Sequence, residues 1–399
     1  MSEHHDVVVI GGGQAGLVAS HELSTRGLDH VVLERDRVAE RWRTSRWDSL
    51  MFQFPNRVLA LPGQPYQGSA PDAFAHHTEV VRVLERYAAL VAAPVREHTR
   101  VISAHRDGHR WRVETHNGVI TSSAVVVATG PFQRARVPAV AGQLPEGLAQ
   151  MHAVDYRNAG QLPDGAVLVV GSGASGAQIA EELAGAARTV HLCMNRHRRV
   201  PRRLFGRDVT EWLGELGFMD RTRADWADGR MPPTVLVTGV DGGHDVDLRM
   251  LAGRGVTLLG RLTGVVGNTL RLADDAEPLL AAADQMYDDF VRAVSERAGE
   301  SVPMRSPSAP VPRRPELSLR DSGISTVIWA TGYDFDHGWL RAPCFDANGN
   351  PTQRRGVTDL PGLYFLGLHW MHTFGSGTFL SLGDDAAYVA DHLAGALPR

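Results

Sequence analysis

Val7-Val8-Val9-Ile10-Gly11-Gly12-Gly13-Gln14-Ala15-Gly16 is a β-branched run that stops on a glycine turn. A helical pattern follows through His21 and Leu23 to Gly27, and a second apolar run, His30 to Leu33, ends at Glu34. Strand, turn, helix and strand within about thirty residues make a dinucleotide-binding unit. Gly11 and Gly13 let the backbone turn tightly and approach a pyrophosphate, and Gly16 lets the helix sit close on the strand. The helix start, with Gln14 and Ala15 in its first turn, offers unpaired N–H groups to phosphate. Glu34, followed by Arg35, stands where a carboxylate accepts both ribose hydroxyls.

The pattern returns once. Val167 to Val170 leads into Gly171-Ser172-Gly173-Ala174-Ser175-Gly176, a helical stretch from Gln178 to Leu183, and a strand from Thr189 to Cys193. The chain then reads Met194-Asn195-Arg196-His197-Arg198-Arg199, with no acid. A carboxylate there would repel a 2′-phosphate, whereas guanidinium groups pair with it bidentately. The first unit therefore prefers FAD or NAD and the second NADPH, with Arg196, Arg198 and Arg199 as candidate phosphate ligands. Two further segments echo each other, AVVVATG over Ala124 to Gly130 and TVIWATGY over Thr326 to Tyr333. Each is an apolar strand ending in a small-residue turn, Ala128-Thr129-Gly130 and Ala330-Thr331-Gly332, where backbone can approach a nucleotide.

The expected architecture is α/β, with two Rossmann-like dinucleotide-binding domains. The FAD domain takes residues 1–157 and 329–399, and an NADPH domain with a helical insertion, residues 158–328, interrupts it. Leu279 to Ala298 has helical periodicity, with Met286, Phe290 and Val294 on one packing stripe. The proline-rich stretch from Met304 to Pro315 reads as a loop.

A chain of 399 residues, 43% hydrophobic and 22% charged, suits two such globular domains. Its formal charge of -4 points to neither nucleic acid nor an anionic membrane as partner. No apolar run reaches bilayer length, and MSEHHD lacks the regions of a signal peptide, so a cytoplasmic location is expected. Cys193 and Cys344 are far apart, which leaves no CxxC redox pair and no Cys-rich metal site, and no metal is expected. Every basic side chain is arginine or histidine. Without lysine, Schiff-base chemistry and a Walker-type phosphate lysine are unavailable. Reactive electrons must sit on a cofactor.

The assembled pattern resembles the class B flavin-containing monooxygenases, which include N- and S-oxygenating and Baeyer–Villiger enzymes, and within them a bacterial CzcO-like branch. The matching residues are the two fingerprints, Glu40-Arg41-Trp42-Arg43 to Trp47-Asp48-Ser49-Leu50, the ATG pair, and the tail Gly362 to Gly367 with Gly375-Ser376-Gly377 and Gly383-Asp384-Asp385. The family signature between the domains is half kept. His152 and Tyr156 hold its last places, while Glu146 and Leu148 stand where Phe and Gly are usual. Tyrosine there leans towards heteroatom oxygenation, and His152 reads as a hinge contact.

The resemblance implies hydride transfer from NADPH to FAD and a flavin hydroperoxide that oxygenates a small organic substrate with O2. N- or S-oxygenation or hydroxylation is the leading expectation. Baeyer–Villiger oxygenation, a flavin reductase and a nucleotide-sensing flavoprotein are the alternatives. Gln53 falls where such enzymes place an amide facing the flavin. Trp42, Trp47 and Leu50 would pack near it, and Arg41 would neutralise its phosphate. Arg202 or Arg203 would stabilise charge on a peroxide. Gly367, Gly377 and Thr378 belong to a strand and helix start expected to reach the flavin pyrimidine edge. The sequence leaves the oligomeric state open, a homodimer included.

Overall fold

The structure, a computed structural model, describes residues 3–226, 235–302 and 310–397. Buried apolar runs without polar alternation suit parallel strands covered on both faces, and two parallel systems form. In the larger, eight-stranded sheet, Glu3–Ile10 lies between His30–Leu33 and Gly118–Val127, and Leu363–Phe365 joins the far side of Gly118–Val127. The register pairs Ile10 with both Leu33 and Val127, and Val127 with Phe365. Four parallel strands thus end level, delivering Gly11, Glu34, Ala128 and Leu366 to one edge. That edge, beyond the carboxyl ends of the strands, is where open α/β sheets bind ligands.

The second sheet repeats the device with five parallel strands: Thr257–Leu259, Val190–Cys193, Ala166–Val170, Ile324–Trp329 and Ala149–His152. Val170, Cys193, Trp329 and His152 finish together, so Gly171, Met194 and Ala330 share an edge. One boundary shifts. The strand Ala149–His152 falls within the segment 1–157 assigned to the first domain, yet it pairs in the second sheet. Its partner strand lies far along the chain, which local sequence does not reveal.

The two passages between the sheets meet. Arg134–Ala135, just after the first ATG turn, pairs antiparallel with Tyr333–Asp334, just after the second. The expected helix over Leu279–Ala298 is found as Ala276–Ala298, with Phe290 and Val294 buried and Met286 half-buried. Of the proline-rich stretch, residues 303–309 lie outside the described residues, and 310–315 are irregular. Among the described residues, no helix is long and apolar enough to cross a membrane, and no group of side chains could hold a metal ion.

Buried histidines set an acid limit. Burial lowers His337, stacked on Phe335 and Phe345, to about 4, and His30, His152, His191 and His197 shift the same way. A folded-state value below the unfolded one means stability is complete above the ordinary histidine range and drains away as pH falls towards 4. For His337 alone the loss approaches about 3 kcal/mol. Thermal melts should therefore drop between pH 6.5 and 4, and His337→Phe should flatten part of that drop.

Candidate functional site

Each glycine fingerprint builds the same cradle, and the two match position by position. Gly11 has φ +115, and a Cβ there would lie 2.5 Å from the Ala128 carbonyl oxygen. A Cβ on Gly16 would stand 1.8 Å from the Gly11 oxygen, while one on Gly13 would meet open space. In the second unit Gly171 (φ +110) faces the Ala330 oxygen at 2.4 Å, Gly176 faces the Gly171 oxygen at 1.9 Å, and Gly173 is open. The alanine of each ATG turn therefore packs against the first glycine of its own fingerprint. The helices Gln14–Thr25 and Ala174–Gly185 start on Gly13 and Gly173 without a side-chain cap. Uncapped N–H groups above an open glycine floor, with Ala174 and Ser175 in the second helix's first turn, suit a pyrophosphate.

The strand ends differ. Glu34 accepts the Gly12 N–H at 2.6 Å and the Asp36 N–H at 2.9 Å, which fixes its carboxylate beside the first turn. In the second unit Ser172 takes that role, donating to the Asn195 carbonyl and accepting its N–H, both at 3.0 Å. Arg196 is exposed at this strand end. Arg198 is buried, its guanidinium 4.0 Å from the Phe218 ring. Arg199 is held by Asp247 at 2.7 Å and Asp284 at 3.3 Å, with Asp245 at 3.7 Å. Three carboxylates already neutralise Arg199, so its expected role as a phosphate ligand is corrected to a structural one. Arg35 likewise spends its charge on Asp36 at the surface.

The tail closes over the first cradle. Ala15 packs under Gly367, where a Cβ would come within 2.5 Å, and Gln14 Nε2 donates to the Gly377 carbonyl at 3.0 Å. Trp42 Nε1 reaches Gln14 Oε1 at 3.4 Å. Arg41 donates to the Gln133 carbonyl at 2.5 Å, and the Gln133 amide donates to Thr129 Oγ1 and the Gly130 carbonyl. Gln133, unremarked in the sequence, thus ties Arg41 to the first ATG turn. At the second turn, Thr331 donates to the Arg136 carbonyl and the Gly332 carbonyl accepts from His152 Nε2 at 3.0 Å.

Other expected site residues land elsewhere. Trp47 and Leu50 are buried in the core of the second sheet with Tyr156, Ile179 and Leu183. Their apolar surface packs protein, and they are corrected from cofactor contacts to core. Tyr156 is fully buried, donating to Glu182 at 2.8 Å. Gly375 to Thr378 form a turn in which Thr378 Oγ1 donates to the Gly375 carbonyl, and the helix starts only at Leu382. The strand and helix expected over the tail are both present, with the turn at Gly375 to Thr378 between them.

Arg202 is buried, 2.8 Å from Asp208 Oδ2, and donates to the backbone carbonyl of Gln53 at 2.6 Å. Arg203 is exposed and donates to the carbonyls of Gly242 and Gly243. Both Nη atoms of Arg203 are thus engaged, whereas Arg202 keeps its Nη2 buried without a hydrogen-bond partner. The Gln53 side chain is half-buried and makes no hydrogen bond to a described residue.

A family profile described as pyridine nucleotide-disulphide oxidoreductase matches residues 8–213. An oxidoreductase described as CzcO-like from Geobacillus kaustophilus is 30% identical over 392 residues, covering 97% of this chain and 98% of that one. The chain belongs to the pyridine nucleotide-disulphide oxidoreductase family. Within it, the chain groups with the CzcO-like oxidoreductases. A flavin-containing monooxygenase from Stenotrophomonas maltophilia shares its fold at a TM-score of 0.70 and 21% identity, covering 98% of this chain and 99% of that one. An indole-3-pyruvate monooxygenase from Oryza sativa subsp. japonica is 33% identical over 204 residues, half of each chain. The disulphide in the family description finds no thiol pair here. Cys193 and Cys344 lie in separate cores, and burial pushes their thiols up to about 12 and about 11.

Proposed function

We propose that the protein transfers one oxygen atom from O2 to nitrogen or sulfur in a small organic substrate, the second oxygen leaving as water. NADPH supplies the two electrons. Bound FAD would provide the oxygen-activating chemistry, which no side chain of this chain offers. The reading assigns FAD to the first cradle, its pyrophosphate over Gly11, Gly13 and the start of the Gln14 helix, and a ribose on Glu34. It assigns NADPH to Gly171, Gly173 and Gly176, with Arg196 facing the 2′-phosphate. Arg41 and Trp42 would flank the flavin site, and Gln53, with its uncommitted amide, would face the substrate side.

The carrying observation is the matched pair of uncapped, glycine-floored helix starts with opposite strand ends. What favours heteroatom oxygenation over Baeyer–Villiger chemistry is the engagement of Arg202 and Arg203. An arginine stabilising a peroxide needs a guanidinium facing the reacting atoms, whereas Arg202 is buried beside Asp208 and Arg203 is committed to surface carbonyls.

Incubation with NADPH, ¹⁸O2 and a panel of amines, sulfides and ketones should place one labelled oxygen in an amine or sulfide product. Stoichiometric hydrogen peroxide with no labelled product from any class would refute the oxygenase. A separate check concerns the nucleotide: Arg196→Ala should raise the KM for NADPH by about tenfold while leaving that for NADH within about twofold. Equal effects on both would move the 2′-phosphate elsewhere.

A further inference from the structure

Arg198 is the one fingerprint arginine whose environment makes poor sense for a protein-only role. It is 8% exposed, and its Nη1 is buried without a hydrogen-bond partner. Among the described residues no carboxylate pairs with it; its guanidinium lies 4.0 Å from the centroid of Phe218. Arg221 approaches the same ring at 4.8 Å. Two cations on one aromatic ring repel each other, Asp225 lying in electrostatic range of Arg221, and burial lowers Arg198 to about 10, with Arg221 adding to the shift. Burying an uncompensated guanidinium is costly unless something anionic completes the site.

A second donor points the same way. Trp226 packs edge-on against Phe218 at 5.1 Å, and its indole N–H is also buried without a partner. Trp370 and Phe374 close the group, at 5.8 Å from Trp226 and 5.0 Å from Phe218. These two come from the tail that covers the first cradle. The tail is laced to the insertion: the Phe374 N–H donates to the Arg221 carbonyl at 2.8 Å, and the Gly375 N–H to the Met219 carbonyl at 2.9 Å. Gly377, two residues on, receives the Gln14 side chain.

We propose that Arg198, Arg221 and the Trp226 indole N–H form an oxyanion site, separate from both pyrophosphate cradles, that takes the carboxylate of an aromatic or otherwise apolar substrate. The unpartnered groups of the site, Arg198 Nη1 and Trp226 Nε1, are donors, which selects an acceptor anion. Its walls are aromatic, which favours a carboxylate carried on an apolar body over a bare phosphate. It lies against the tail at 370–375 rather than at the strand end where Arg196 stands. The proposal rests on the oxygenase reading only in calling the ligand a substrate.

The test titrates FAD-loaded protein with phenylacetate and with its neutral counterpart phenylacetamide, followed by tryptophan fluorescence. The wild type should bind phenylacetate about tenfold more tightly, and Arg198→Met should abolish that preference. Arg221→Gln, a change at an exposed residue that the fold tolerates, should weaken phenylacetate by about threefold and leave phenylacetamide unchanged. Trp226→Phe, which keeps the ring and removes the donor, should act in the same direction. A wild type that treats the two probes alike, or a preference that survives both arginine variants, overturns the site. So does a rise in the Kd of NADPH but not NADH with phenylacetate unaffected, because the arginines would then serve the 2′-phosphate. If phenylacetate binds as expected but ¹⁸O labelling finds no product, the anion site stands and the oxygenase reading falls.

Discussion

Gly16→Ala should yield a chain that no longer retains FAD and melts at markedly lower temperature. Gly176→Ala should stay yellow and lose reduction by NADPH. In both cases the new Cβ would stand within 2 Å of a backbone oxygen, 1.8 Å at Gly16 and 1.9 Å at Gly176. A clash with backbone cannot be relieved by a rotamer change, so the helix must lift from its strand, at a cost of about 3 kcal/mol or more. Lifting the first helix also breaks the Gln14–Gly377 bond and the packing of Ala15 on Gly367. Lifting the second disturbs its own sheet and its bonds to Ser49 and Val237. The flavin content of purified protein, and the rate of flavin bleaching by NADPH without oxygen, separate the two outcomes. Flavin loss in Gly176→Ala with retention in Gly16→Ala would reverse the assignment of nucleotides to cradles.

Arg202→Met should lower the melting temperature by roughly 10 °C. Arg202 and Asp208 are 3% and 6% exposed, so removing the cation leaves a buried carboxylate without its counter-charge. Such breakage typically costs about 3–5 kcal/mol. Asp208 also caps the helix Val209–Glu215 through the Thr210 N–H at 2.9 Å. Asparagine preserves that cap while removing the charge. Arg202→Met/Asp208→Asn should therefore recover most of the lost stability. NADPH turnover should remain altered in the double variant, since the Gln53 carbonyl still lacks its anchor. A double variant as unstable as the single one would show that Arg202 acts through packing on Phe74, 4.2 Å away.

Most of the fold was legible because its signals are local. A β-branched run, a glycine spacing and the charge at a strand end all lie within one short stretch, and each reports backbone geometry that few other residues permit. The ATG turns were visible as a repeat, but their main contact, the alanine carbonyl against the first fingerprint glycine, needs the sheet register to be seen. The site was less legible wherever a side chain's partner is distant in sequence. Arg199 reads as a phosphate ligand until Asp284, 85 residues on, is brought beside it. Trp47 and Leu50 sit in a motif shared with flavin enzymes, yet long-range packing sends them into the other core. Arg221 and Trp226 carried no motif at all. Their only signal is a cluster of aromatic and arginine residues inside an insertion, which is indistinguishable from ordinary packing until the orphaned donors are located.

The laced pair Arg134–Ala135 and Tyr333–Asp334 has a mechanical meaning. A polypeptide crossing once between two bodies can bend, twist or stretch in any direction. Two crossings hydrogen-bonded side by side behave as an axle: they resist separation and sliding and leave rotation about one line as the soft motion. Any swing that brings nicotinamide to flavin, or withdraws it, would then follow a fixed arc, and leaving that arc would rupture the ladder along with the bonds that tie the tail to the insertion.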